Sequence, residues 1–122
     1  MKEPQFITKI HRLLPTAVYR WKIHDRYHRG IPDTWYSGLA GDLWVEYKFT
    51  QKLPQTRITP RLSPGQKTWL NDRLVENKQL AVIVGDPNEA VVITDGAWNS
   101  SVPITERLTH KEVAVWITHQ VT

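Results

Sequence analysis

Leu43-Trp44-Val45-Glu46-Tyr47-Lys48-Phe49 is the stretch that decides the fold of this chain. Leu43, Val45, Tyr47 and Phe49 alternate with Trp44, Glu46 and Lys48, and a period of two predicts a β-strand with one apolar face. Working outward, Ser37-Gly38-Leu39-Ala40-Gly41-Asp42 supplies a hairpin connection to a preceding strand over Ile31–Tyr36. Before a turn near Gly30, residues 17–24 alternate Tyr19, Trp21 and Ile23 with Val18, Arg20, Lys22 and His24, which predicts a strand with an aromatic-apolar face. Phe6, Ile7, Ile10, Leu13 and Leu14 have helical spacing between Pro4 and Pro15.

Downstream, residues 50–62 carry Pro54 and Pro60 and read as a basic loop. Ser63 then caps a helix with Pro64 at its first position, and Trp69, Leu70, Leu74 and Val75 make its inward stripe. The unbroken run Leu80–Val84 predicts a strand buried on both faces. Asp86-Pro87-Asn88 turns the chain into a strand over Ala90–Thr94. Thr109 and Glu112 have capping-box spacing and start a last helix, with Val113, Trp116 and Ile117 inward. Trp21, Trp69 and Trp116 all fall on apolar stripes and are expected in the core. The order is helix, three strands, helix, two strands, helix: a mixed α/β sheet with helices covering it, in one domain spanning residues 1–122.

Bulk properties narrow the chemistry. The chain has 122 residues, 40% of them apolar, and no Cys, which excludes a disulfide framework, a thiol nucleophile and a cysteine zinc site. No apolar run is long enough to cross a membrane and no secretory h-region follows Met1, so a cytoplasmic protein with no membrane partner is expected. The net charge of +4 is unevenly placed. Lys9, Arg12, Arg20, Lys22, Arg26 and Arg29 form one basic stretch, with His11, His24 and His28 among them; Lys48, Lys52, Arg57, Arg61 and Lys67 form another. Such clustering is the footprint of a polyanion partner, although a merely solvated face has the same composition.

On the strand 43–49, Glu46 and Lys48 project side by side from the face opposite the apolar one. A hairpin brings Asp33 beside them. Two carboxylates suit Mg²⁺, which takes oxygen ligands and keeps several waters. The lysine can orient the attacking water and offset phosphate charge during metal-assisted attack on phosphorus. If there is no site, Asp33 ends a turn and Glu46 and Lys48 solvate a sheet face; Trp44 on that face speaks against it.

Gly30-Ile31-Pro32-Asp33, Glu46-Tyr47-Lys48 and Ser63-Pro64-Gly65-Gln66 together resemble the PD-(D/E)xK nuclease superfamily, and within it the stand-alone VRR-NUC group of viral and phage-type nucleases. The resemblance covers roughly residues 1–85. It implies a restriction-endonuclease-like αβββαβ core, here with an extra C-terminal strand and helix. It implies that Asp33, Glu46 and the main-chain carbonyl of Tyr47 bind Mg²⁺, with Mn²⁺ able to substitute, that Lys48 positions the water, and that Gln66 supports the site. Glu3 stands where the family often supplies one more acidic ligand. Gln66 is also the capping-box residue for Ser63, so capping and catalysis call for the same side chain. Arg29, Lys52, Arg57, Arg61 and Lys67 are the candidate DNA contacts, or else solvated charges.

The implied activity is metal-dependent endonucleolytic hydrolysis of DNA, selective for branched structures such as Holliday junctions, by a homodimer whose two sites nick a two-fold substrate. Competing readings are a flap, nicking or restriction-like nuclease, a DNA-binding module that does not cut, and a virion or scaffold protein. Asn77 stands where the related nucleases close this helix with Gly, the loop between Lys48 and Ser63 is longer and more basic than usual, and residues after about 95 match nothing in the family.

Overall fold

In the computed structural model, which describes residues 1–24 and 30–122, the chain runs α1 (Glu3–Arg12), β1 (Tyr19–Lys22), β2 (Thr34–Gly38), β3 (Gly41–Phe49), β4 (Arg57–Ile58), α2 (Pro64–Val75), β5 (Leu80–Gly85), β6 (Glu89–Ile93), β7 (Val102–Pro103), β8 (Leu108–Thr109) and α3 (His110–Val121). Six strands form one sheet in the order β1-β2-β3-β5-β6-β8, and β4 pairs with β7 in a small second sheet. Strands β3 and β5 are parallel, and the crossover between them contains α2; the other neighbours in the large sheet are antiparallel. This is the mixed α/β sheet with flanking helices expected from the pattern.

The alternation along β3 divides the molecule into two cores. Tyr36, Leu43, Val45, Tyr47 and Ile83 face α1 and α3, where Phe6, Ile10, Val113 and Ile117 cover them. Leu80, Val82, Val84 and Ile93 face the other way, onto Leu70 of α2, Leu53 and Ile58 of the basic loop, and Trp98. Hence β5 is buried at every position: both its faces are roofed. Ser63 and Thr109 cap α2 and α3, each accepting from the amide three residues on. Asn77 adopts a left-handed φ of 62° as α2 ends, the conformation for which glycine is the usual choice.

Four expectations need correction. The strand expected over 17–24 is confined to β1, whose residues are all exposed, so Trp21 is not a core residue. Among the described residues β1 is an edge strand with no helix over its aromatic face. The strand expected over Ile31–Tyr36 begins only at Thr34, because Pro32 cannot donate to a ladder. Val75 is 84% exposed, since the stripe of α2 rotates off the sheet in its last turn. Trp69 and Trp116 are half-buried, whereas Trp98, in a 3-10 turn at Ala97–Asn99, is fully buried.

The basic loop is anchored rather than loose. The buried Asp86 side chain accepts from the backbone N–H groups of Leu53 (3.1 Å), Asn88 (2.8 Å) and Glu89 (2.8 Å). Arg107 donates to the carbonyls of Pro54 and Gln55. Burial works to raise the Asp86 pKa, but the three amides and the Arg107 charge outweigh it and hold the carboxyl below its ordinary value. Asp86→Ala is therefore expected to cost about 3 kcal/mol, because buried amides lose a charged acceptor. The carboxylate's contribution is present above its unfolded pKa and fades as pH falls through the lower folded value. Urea denaturation should show the wild-type advantage at pH 7 and its shrinkage in acid.

Candidate metal-dependent active site

The site begins with a break in the sheet. In the β2–β3 ladder Tyr36 faces Leu43 and Thr34 faces Val45. Even-numbered residues of β3 turn their backbone toward β5, as the bonds Trp44 N–H to Gln79 O (3.0 Å) and Thr50 N–H to Gly85 O (2.9 Å) show. Odd-numbered residues turn toward β2. The next rung in this register would pair Tyr47 with Pro32, which has no N–H, so the ladder stops there. The Tyr47 N–H instead donates to Asp33 Oδ2 at 2.9 Å. Because N–H and C=O of one strand residue point to the same side, the Tyr47 carbonyl also faces Asp33, with no proline donor opposite it. The proline preceding Asp33 thus leaves a main-chain oxygen beside a carboxylate.

Glu46 and Lys48 occupy the face of β3 that α2 covers. Lys48 Nζ lies 3.5 Å from Glu46 Oε2 and donates to Gln66 Oε1 at 3.1 Å. Gln66 Nε2 donates to Glu46 Oε2 at 3.2 Å. Gln66 Oε1 also accepts from Ser63 N–H at 2.9 Å, while Ser63 Oγ accepts from Gln66 N–H. Capping and site support are therefore the same act: the amide that closes the first turn of α2 reaches across to the acid and the amine. Gly30, at φ +88°, lets the chain entering Asp33 lie against this turn; a Cβ there would stand 2.3 Å from the Gly65 carbonyl oxygen.

Burial, reinforced by the neighbouring Asp33 charge, raises the Glu46 pKa to about 8 despite the opposing charge of Lys48. Glu46 Oε1 is buried with no hydrogen-bond partner. Glu3, at the start of α1, is raised by partial burial and then by Asp33, against the pull of Lys48 and Lys22. Among the described residues no three His, Asp or Glu side chains gather into a metal cluster, so Glu3 stands within electrostatic reach of the site without joining Asp33 and Glu46. An orphaned carboxylate oxygen, a second carboxylate and an inward-facing carbonyl nonetheless fit a hard divalent cation that keeps part of its water. Asp33, Glu46 and the Tyr47 carbonyl are the groups that would hold it.

No known family pattern matches the chain, and no curated protein matches its sequence. The solved structure of Archaeoglobus fulgidus Hjc, a Holliday junction resolvase from an archaeal hyperthermophile, matches it with a TM-score of 0.53, at 15% sequence identity, over 92% of this chain and 99% of that one. The chain has the fold of that resolvase. This is the restriction-endonuclease-like fold expected from the sequence, and the matched share is too large to leave out everything after residue 95, so the C-terminal region is part of the likeness.

On the resolvase fold the basic residues divide. Lys48, Lys52, Arg57 and Arg61 line a groove of about 410 Å³ that runs from the site along the anchored loop. The Arg57 guanidinium is oriented by Ser101, donating to its Oγ at 2.9 Å and its carbonyl at 3.0 Å. Lys67 is exposed on α2 but does not line this groove. Arg29, with Arg26 and His28, lies outside the described residues.

Behind the site lies a strut that no sequence motif announces. His11 Nε2 hydrogen-bonds the Tyr36 hydroxyl (2.7 Å), which bonds the Tyr47 hydroxyl (2.6 Å). Burial first, then Arg20 and Lys22, lowers the His11 pKa to about 4, and burial raises both tyrosines, so the chain of hydrogen bonds stays neutral around pH 7. It ties α1 to β2 and β3 directly behind the Tyr47 backbone. The one available signal was a pair of tyrosines on otherwise aliphatic core positions, each needing a partner for its hydroxyl.

Proposed function

We propose that this chain is a metal-dependent DNA endonuclease of the PD-(D/E)xK superfamily, nearest the VRR-NUC group, acting on branched DNA as a single nuclease domain in the cytoplasm. The observation that carries the proposal is the partnerless, buried Glu46 oxygen, in a carboxyl set beside Asp33 and 3.5 Å from the Lys48 ammonium. Buried polar groups in folded chains are normally partnered, and a cation bound between the two carboxyls is the partner we propose. Asp33, Glu46 and the Tyr47 carbonyl would hold Mg²⁺ or Mn²⁺. The ion, when bound, supplies Lewis acidity at the phosphoryl group and a template for in-line displacement.

The chain's own residues do the rest. Lys48 offers N–H donors to the attacking water and to the charge growing on phosphate oxygens. Gln66 fixes Lys48 and Glu46 relative to each other, and Glu3 adds negative potential at the rim. Lys52, Arg57 and Arg61 take the DNA backbone along the groove, with Lys67 as a further contact outside it and Arg29 as another candidate contact. The likeness to a resolvase supports a four-way junction as substrate, and a two-fold dimer supplies the paired sites that such a substrate needs.

The test is incubation of purified protein with end-labelled four-way junction, flap, nicked duplex and plain duplex, in Mg²⁺, Mn²⁺ or EDTA. Junctions should be cut fastest, in either metal, with no cutting in EDTA and none by Asp33→Ala. Cutting that persists in EDTA or in Asp33→Ala would refute the mechanism. Equal or faster cutting of flap, nicked or plain duplex would replace junctions as the substrate.

A further inference from the structure

Tyr19 and Trp21, 63% and 57% exposed, sit on β1, the edge strand of the sheet among the described residues. Trp21 pairs in register with Trp35, and Trp35 with Trp44, so the three indoles project from the same face of the sheet. By alternation along β3 that face is also the face of Glu46 and Lys48. The rings form a continuous run: Tyr19 to Trp35 at 6.0 Å, Trp35 to Trp44 at 6.2 Å, Trp44 to Trp69 at 5.3 Å. At the Trp69 end α2 covers the run, and Arg73 lies over the ring. At the Tyr19 and Trp21 end no described element covers the face, and both side chains are exposed. Trp35 is locked in place by its Nε1–H donating to Asp42 Oδ2 at 2.8 Å.

From this placement we infer that Tyr19, Trp21 and Trp35 form a stacking platform for unpaired bases of the DNA that the Glu46–Lys48 site acts on. Strand spacing and rise put Trp21 about 12 Å from Glu46, two strands across and two residues along. That is roughly three to four nucleotide steps of a stacked strand. Exposed aromatic faces on the side of the sheet that also carries Lys48 match what single-stranded nucleic acid presents, flat bases beside phosphates. Arg20 and Lys22, which alternate with them along β1, project from the opposite face, where Arg20 donates to the His11 carbonyl. The same two cations disfavour a second copy of this chain adding its β1 to the edge, since that pairing sets like charges against each other. The substrate class so defined is DNA with splayed or unpaired bases a few nucleotides from the cut. The part of this that concerns the cut rests on the nuclease reading; the binding does not.

The test separates the two. Binding is measured in EDTA by fluorescence anisotropy with a labelled single-stranded oligonucleotide, an abasic strand of the same length, and a plain duplex. Wild type should prefer the strand with bases. Trp21→Leu should lose about tenfold in affinity for that strand, with little change for the abasic strand or the duplex, and Trp21→Tyr should recover most of it. Equal losses on intact and abasic strands, or no loss on either, would overturn the platform. So would a Trp21→Leu chain whose main change, by sedimentation, is its oligomeric state. Metal-dependent cleavage without Trp21-dependent base preference would sink the platform alone. Base preference without any cleavage would leave the platform standing and sink the nuclease.

Discussion

Lys48→Ala should slow metal-dependent cleavage by about a hundred- to a thousandfold while leaving DNA affinity nearly intact, because loss of a single donor aimed at developing charge has an effect of that size. The Lys48 ammonium is anchored to Gln66 and Glu46 and about a quarter exposed, so it faces both the site and its opening. Removing it does not uncap α2, since Gln66 keeps its bonds with Ser63. Lys48→Arg should recover only part of the rate: the charge remains, but a planar guanidinium cannot occupy the place of a compact ammonium. Single-turnover rates at saturating protein isolate this effect. Lys52→Ala and Arg57→Ala should behave oppositely, weakening binding and flattening its salt dependence with the cleavage step largely retained. A Lys48→Ala chain that binds weakly but cuts at the normal saturated rate would make Lys48 one more phosphate contact.

Glu46→Gln should abolish cleavage and yet stabilise the metal-free protein. The direction follows from linkage. In the folded chain the Glu46 carboxyl has its pKa raised from 4.5 to about 8, so between these values the folded state holds a proton that the unfolded state has released. Stability therefore falls as pH rises through that window, and the full penalty is present above about pH 8. Gln keeps the shape, places an amide N–H₂ where the orphaned oxygen stood, and carries no charge to desolvate. After allowance for the lost attraction to Lys48, the gain at pH 8 is about 2 kcal/mol, seen as a melting temperature higher by roughly 5–10 °C. At pH 4.5 and below, the two proteins should melt together. A Glu46→Gln chain less stable than wild type at pH 8 without metal would mean that this carboxylate is well solvated or fully paired in the fold.

These opposed effects mark where the sequence is legible. Ser63, Pro64 and Gln66 announce the start of α2 because capping is local chemistry, and Leu80–Val84 announces a strand roofed on both sides because burial there is unbroken. The pairing of Glu46 with Lys48 on one face follows from alternation alone. What the pattern misses is set by long-range partners. The alternation of Tyr19, Trp21 and Ile23 has the period of a half-buried strand, but no local signal says that β1 lies at the sheet edge with its side chains exposed. Short β4 and β7 owe their existence to each other across the chain, and the basic loop owes its shape to Asp86 and Arg107. Asp33 was expected on a strand; it sits one residue before β2, and the proline that ends the ladder is what turns its carboxylate toward the Tyr47 amide.

The central claim, that Asp33 and Glu46 jointly complete a divalent cation site, is tested most directly by counting Mn²⁺ ions taken up per chain. Electron paramagnetic resonance of the free ion serves this purpose, with wild type, Asp33→Asn, Glu46→Gln and the double variant titrated at equal concentration. A single tight ion should bind to wild type, be weakened sharply by either substitution, and vanish in the double variant with the fold intact by circular dichroism. Unchanged uptake by the double variant, or none by wild type, would contradict the account.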